Sequence, residues 1–267
     1  MKKIALSENW PESWKTSYLY DLLEVYGELS AKGYAYAYAN RRKYTLELIK
    51  KVAKSDAKIL DLAAAQGNFT LLLAELGFEV TWNDLRKDLA EYTKLKYEHG
   101  IIHYVPGNIF ELDFVESFDV VLITEIIEHV AHPDDFLKQI SRMVKRDGHV
   151  VMTTPNGGYF LSHLPRFTDC SDATQFEAMQ FKPDSDGHIF LLHTDEVSCL
   201  AKQAGLIVKE IKLFSNPLTN GHMKLGNLLK ILPRTWVDIC ERFTTSLPFK
   251  LRNKVHAGMA VTFARAD

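Results

Sequence analysis

Apolar runs of about five residues recur through the middle of this 267-residue chain, each followed by a stretch whose apolar positions return every three or four residues. That rhythm belongs to strands alternating with amphipathic helices. It predicts strands at 58–62, 78–83, 101–105, 118–123 and 148–153, with helices at about 68–76, 86–98 and 133–146 between them. The last of these helices has Pro133 and acids in its first turn and Lys145, Arg146 and Gly148 at its end, so its start and stop chemistry agrees with its periodicity. Upstream, the spacing predicts two further helices, 14–28 and 35–54, with Gly33 between them. The Tyr-Ala alternation from 34 to 39 mimics a strand, but the helical pattern that follows outweighs it.

After Pro155-Asn156-Gly157-Gly158 the alternation gives way to a polar, aromatic stretch running to about His193. A segment of that length placed after a strand's C-terminal end is more often a lid or binding loop than a spacer. A helix at 195–204, opened by Thr194 and closed by Gly205, then leads into a strand at 206–213, and a last strand is predicted at 257–264. Between those two strands lies a helical insertion containing 225–232 and 236–243. The expected architecture is an α/β fold with a doubly wound, mostly parallel sheet covered on both faces. Its parts are an N-terminal helical cap (1–56) and a domain over 57–267 with insertions at about 155–193 and 215–250.

Composition narrows the setting. A chain that is 46% hydrophobic can bury one substantial core, and a formal charge of −2 offers no long-range attraction to polyanions, so nucleic acid is unsupported. Cys170, Cys199 and Cys240 are odd in number and widely spaced, with neither disulfide nor zinc-knuckle spacing, which fits a reducing cytoplasm. No signal peptide and no bilayer-spanning stretch is expected. The insertion carries Lys224, Lys230, Arg234, Lys250, Arg252 and Lys254 among Leu, Trp236 and Phe249, so residues 223–254 could touch an anionic membrane surface or form a solvated face over a small core.

The chemistry gathers where strands end. The run Ile59-Leu60-Asp61-Leu62-Ala63-Ala64-Ala65-Gln66-Gly67-Asn68 reads as a buried strand turning through small residues into a helix, and the following strand ends at Asp84. In a doubly wound sheet a ligand binds beyond these strand ends. A dinucleotide needs its pyrophosphate on the helix N-terminus, yet Asp61 places a negative charge there and alanines stand at 63, 64 and 65. A cofactor with cationic groups, such as the ammonium and sulfonium of S-adenosylmethionine, suits the site better, and nicotinamide oxidoreductases are disfavoured. Asp84 can take both ribose hydroxyls or cap the next helix. In Pro106-Gly107-Asn108-Ile109, Asn108 can pair with the adenine edge and Ile109 can lie on the ring, although a plain turn would look the same.

Residues 57–154 resemble a class I S-adenosylmethionine-dependent methyltransferase. The family's acid-x-Gly-x-Gly-x-Gly motif maps to Asp61, Ala63, Ala65 and Gly67, its second acid to Asp84, and its Gly-Asp pair to Gly107-Asn108. The resemblance implies a Rossmann-like sheet of seven strands with the last antiparallel, and a cofactor site comprising Asp61, Ala63, Gln66, Gly67, Asp84, Leu85, Asn108, Ile109 and Thr124.

Beyond the fourth strand, Glu125, Glu128 and His129 are spaced i, i+3, i+4, so one helical turn would present all three on a common face. The segment resembles the Glu-x-x-Glu-His stretch of quinone-biosynthesis O-methyltransferases and of small-RNA 3′-end 2′-O-methyltransferases. That resemblance implies a divalent metal (magnesium, manganese or zinc) held with a later histidine, for which His188 is the candidate and His193 the rival. Without metal, His129 or His188 can act as general base, and a purely structural role for Glu128 and His129 is a third option. The expected function is methyl transfer to oxygen of a small molecule or glycan precursor. RNA 2′-O-methylation and a non-catalytic cofactor-binding interaction protein are the alternatives.

Overall fold

In the computed structural model, which describes residues 1–180 and 187–266, the expected strands join one sheet. They are β1 (Lys58–Leu62), β2 (Glu79–Asn83), β3 (Ile101–Tyr104), β4 (Phe118–Thr124), β5 (Val144–Pro155), β6 (Leu206–Phe214) and β7 (Gly258–Arg265). Their order is β3-β2-β1-β4-β5-β7-β6, and β7 runs antiparallel to both of its neighbours. The chain reverses direction across the sheet between β1 and β4, which opens a crevice beyond their C-terminal ends.

Alternation along the strands divides the core. On one face Ile59, Val80, Val120, Leu122 and Val151 meet Leu48 and Ile49 of α2 (Lys32–Val52) and Phe69 and Leu73 of α3 (Asn68–Glu75). On the other, Leu60, Leu62, Val121, Ile123 and Val150 meet α5 (Pro133–Met143) and α6 (Thr194–Gln203). Strands buried on both faces read as continuous apolar runs, which is why they stand out in the sequence. Asp61 shares the parity of Ile59, so its carboxyl lies beneath α3.

Three elements differ from their expected form. Gly33 does not separate two helices but lies inside α2, where an added Cβ would sit 2.3 Å from the Asn220 carbonyl oxygen of α7 (Pro217–Asn220). Close helix approach, rather than a chain break, is the reason for that glycine. The helix expected to reach 146 stops at Met143, because Val144 already pairs with Phe118 across an irregularity in the β4–β5 ladder. The helix expected from 86 is α4 (Leu89–Lys96), preceded by a turn through Asp84 and Arg86. In the expected 155–193 insertion, short 3-10 turns occupy Phe167–Asp169 and Ala173–Met179, and residues 181–186 lie outside those described.

Near the N-terminus, α1 (Glu12–Glu24) is stitched to the sheet's cofactor end by a buried polar network. Lys96 and Asp21 form an ion pair at 2.8 Å with both side chains fully enclosed. Asn68 donates to Asp21 and to Glu24 and accepts from Lys96, Tyr92 donates to Asp21, and Gln66 donates to Glu24. Buried charges are tolerated when paired and hydrogen-bonded in this manner.

Candidate active site

The turn after β1 carries three consecutive left-handed positions at alternate residues: Ala63 (φ 51°), Ala65 (φ 48°) and Gly67 (φ 74°). L-residues other than glycine pay about 1 kcal/mol or more for that conformation. The two alanines are held there by tertiary bonds. Ala64 N–H donates to the Asn83 carbonyl, Ala65 N–H donates to Asp84 Oδ2 at 2.8 Å, and the Trp82 indole donates to the Ala65 carbonyl. Gly67 has no latitude, because a Cβ would lie 2.4 Å from Thr93 Cγ2. Beneath the turn, Asp61 accepts a 2.5 Å hydrogen bond from Thr70, while its Oδ1 is buried without a hydrogen-bond partner among the described residues. Burial pushes its carboxyl up to about 7, against the lowering effect of Thr70.

Asp84 is buried at the end of β2, where Oδ2 anchors the Ala65 amide, Oδ1 accepts from the Arg86 amide, and the Arg86 guanidinium donates to both oxygens. It is not the cap of α4, whose first turn is preceded by Asp88. Leu85 beside it is exposed. Asn108 caps the short turn Ile109–Glu111 by accepting from Phe110 N–H, and its amide donates to Glu111. Ile109 is packed into the main core. Thr124 ends β4, in register with Thr153.

The common helical face expected for Glu125, Glu128 and His129 does not form. Glu125 takes a left-handed backbone (φ 53°), and only Ile127–His129 form a 3-10 turn. Glu125 thereby faces Arg41 of α2 at 3.4 Å and accepts from Thr153 at 2.8 Å. Glu128, His129 and His188 do converge, with ligand atoms within 4.8 Å of one another and the imidazole centroids 4.9 Å apart. The Glu128 carbonyl draws His188 into place by accepting from the amides of Ile189 and Phe190. The Glu128 carboxylate is fully buried, accepts from Thr154, and leaves Oε1 without a partner among the described residues. Burial, and then the Glu125 charge, raise its pKa well above the usual carboxylate value. The rival, His193, is the N-cap of α6, closing a reciprocal capping box with Glu196. It displaces Thr194 from that role.

Comparison with known proteins bears on this geometry. Residues 34–211 match a family described as a methyltransferase domain. The ubiquinone biosynthesis O-methyltransferase of Rickettsia canadensis is 32% identical over 198 residues, covering 72% of this chain and 80% of the relative. The chain is a class I S-adenosylmethionine-dependent methyltransferase. The Pseudomonas entomophila protein of the same description is 29% identical over 67% of this chain and 76% of its own length. Against that of Rickettsia conorii the match covers only 36% of the relative's length. A candidate sarcosine dimethylglycine methyltransferase from Galdieria sulphuraria shares the fold with a TM-score of 0.58 at 14% identity, over 96% of this chain and 99% of that one.

The family implies S-adenosylmethionine as donor, and the methyltransferase's residues fit it. The buried Asp61 Oδ1, without a partner among the described residues, would pair with a cationic group, and Ala63, Ala65 and Gly67 hold the left-handed backbone that glycine adopts without strain. Beside the Glu128, His129 and His188 cluster lies a cavity of about 760 Å³ lined in part by Arg41, Glu125, Tyr159, His188 and His222. Of these, sequence reasoning missed Arg41, Tyr159 and His222. Arg41 was detectable in principle: Gly33, Ala37 and Arg41 recur at i, i+4, i+8, one stripe of α2 that faces the cavity. Tyr159 and His222, bonded to each other at 3.0 Å, come from two separate insertions and had no local signal.

Proposed function

We propose that this methyltransferase transfers a methyl group to a hydroxyl oxygen of a small organic acceptor seated in the cavity of about 760 Å³, with the Glu128–His129–His188 cluster at its reactive end. The observation that carries the reading is the convergence of a buried carboxylate and two imidazoles on one another, with His188 of that cluster lining the cavity. An oxygen acceptor is favoured because the relatives are named ubiquinone biosynthesis O-methyltransferases. The cavity adjoins the C-terminal ends of β4 and β5, the edge at which the Asp61 turn lies one strand away. Donor and acceptor sites are therefore neighbours along one sheet edge.

S-adenosylmethionine supplies an electrophilic methyl on sulfur; displacement by the acceptor oxygen breaks the sulfur–carbon bond as the oxygen–carbon bond forms. The chain's task is alignment and removal of the acceptor proton. His188 on the cavity wall is the group to take that proton, with its ring packed edge-on against His129. Glu125, held by Thr153 and opposed by Arg41, supplies a fixed carboxylate for orienting a second hydroxyl of the acceptor. Asp61 and the 63–67 turn, with Asp84, Leu85 and Thr124, would hold the donor, with the exposed Arg86 swinging off Asp84 as the ribose enters.

Glu128, His129 and His188 would also hold a divalent cation, since the Glu128 Oε1, without a partner among the described residues, and two imidazoles form a mixed oxygen and nitrogen donor set that suits magnesium, manganese or zinc. Such an ion would make an acceptor hydroxyl more acidic. Methyl transfer to a panel of dihydroxylated aromatic and sugar acceptors, before and after chelation and with each metal restored, tests both parts. Activity lost on chelation and regained with one metal supports the ion; full activity after chelation with no metal rebinding removes it and leaves His188 as base. Undiminished turnover in both His188→Ala and Glu128→Gln would refute the placement of the reactive end.

A further inference from the structure

Helix α9 (Arg234–Thr245) is turned in a direction that core formation does not explain. Its inward face contributes Val237 and Glu241, the latter accepting from the Ser215 and Asn216 amides and the Thr219 hydroxyl. Its outward face carries Trp236, Ile239 and Phe243 at i, i+3, i+7, with relative exposures of 59%, 52% and 67%. The neighbouring helices add to it: Leu228 and Ile231 (79% exposed) on α8 (Gly226–Ile231), and Phe249 and Leu251 on α10 (Phe249–Val255). Large apolar side chains gathered on consecutive surface helices mark an interaction site.

Charge selects the partner. Residues 223–254 contain seven basic residues (Lys224, Lys230, Arg234, Arg242, Lys250, Arg252, Lys254) and two acidic ones (Asp238, Glu241), a formal +5 in a chain whose total is −2. The remainder therefore carries −7, so the segment that exposes the apolar groups is net basic in a chain that is otherwise net acidic. Glu241 is buried, and Asp238 is paired with Arg234, whose guanidinium also lies 4.1 Å from the Tyr36 ring centroid, which leaves Lys224, Lys230, Arg242, Lys250 and Lys254 as the exposed charges of the segment. Exposed aromatic and aliphatic side chains interspersed along the segment with exposed lysine and arginine match the boundary between acyl chains and anionic headgroups. A second copy of the chain docked through the same segment would bring +5 against +5.

We propose that α8, α9 and α10 form a docking face for an anionic lipid bilayer, with Trp236, Ile239 and Phe243 entering the interface and the basic residues meeting headgroup phosphates. No described helix is long and apolar enough to cross a membrane, so attachment is peripheral. The helices adjoin the cavity: Met223 and Leu161 line it and are exposed, Met223 lies just before α8, and Phe160 N–H donates to the Lys254 carbonyl of α10. Under the acceptor reading above, a hydroxylated molecule with an apolar tail could reach the cavity from the membrane.

The test is flotation of the full chain with vesicles of phosphatidylcholine alone and of phosphatidylcholine mixed with phosphatidylglycerol, which needs no acceptor and stands or falls apart from the methyl-transfer reading. Binding to the mixed vesicles, weakened by salt, is expected; Lys230→Glu with Lys250→Glu lowers it roughly tenfold or more. Trp236→Ser with Phe243→Ser abolishes it while S-adenosylhomocysteine affinity and Tm stay unchanged. The proposal is overturned by absence of vesicle binding, by binding that survives Trp236→Ser with Phe243→Ser, or by a self-association or RNA affinity that this variant abolishes while vesicles are ignored.

Discussion

Replacing Asp61 with Asn separates what this carboxylate does for folding from what it does for the donor. The rise of its pKa from 3.8 to about 7 on folding is caused first by burial. At about 1.4 kcal/mol per pH unit this amounts to roughly 4 kcal/mol against the ionised form in the folded protein. The unfolded chain releases the proton near 3.8 and the folded one near 7, so the stability contributed by this group is present at low pH and lost as pH rises between those values. Asn cannot ionise and escapes that loss, but its amide would occupy the position where Oδ1 has no partner, at a cost of about 1–3 kcal/mol. The variant is therefore expected to be about 1–3 kcal/mol more stable than the parent at pH 8 and less stable at pH 4. Donor affinity moves the other way. Loss of a charge-assisted hydrogen bond to the ammonium group lowers it on the order of tenfold at pH 8, and the parent's affinity should climb from pH 6 to pH 8 as Asp61 ionises, a climb absent in the variant. Urea unfolding at the two pH values and calorimetric titration with S-adenosylhomocysteine supply both readouts. A variant less stable at pH 8, or one with unaltered affinity and the parent's pH dependence, would refute this account of the turn.

The turn's backbone makes a paired prediction: Gly67→Ala, with its Cβ 2.4 Å from Thr93 and φ at 74°, should cost more than about 2 kcal/mol in thermal unfolding and abolish donor binding. By contrast, Ala65→Gly relieves about 1 kcal/mol of left-handed strain and gives most of it back as unfolded-chain entropy, so its Tm should lie close to the parent's. Lys96→Met leaves Asp21 buried without its cation and should cost about 3–5 kcal/mol by urea unfolding. If stability were unchanged, the buried network would not be what ties α1 to the turn.

Much of the fold was legible because its strands are enclosed on both faces and its helices carry their own start and stop chemistry. β1, β4, α3 and α6 lie within a residue or two of their expected limits. The boundaries that moved did so for tertiary reasons. Gly33 looked like punctuation in one dimension and proved to be a contact surface in three, because what it accommodates is the backbone of Asn220, distant in sequence. The i, i+3, i+4 spacing of Glu125, Glu128 and His129 promised a shared face only if the backbone were α-helical, and a left-handed Glu125 breaks that premise. Arg41 and Thr153 hold its carboxylate on the cavity side instead.

The chain by itself determined the alternation of strands and helices, the acid and small residues of the donor turn, and the candidacy of Glu128 and His129, because each is written in local period or spacing, while His188 was a candidate, beside His193, through a family resemblance. Only the tertiary structure decided that His188 rather than His193 joins the cluster, that two alanines adopt a glycine-like course, and that Arg41, Tyr159 and His222 share one cavity. Those outcomes depend on hydrogen bonds and packing between segments far apart in the chain, where side-chain identity carries no record of its neighbour. The same holds for α9: its apolar and basic residues were visible in order, but whether the apolar ones faced a core or the solvent was settled by Glu241 claiming the inward side.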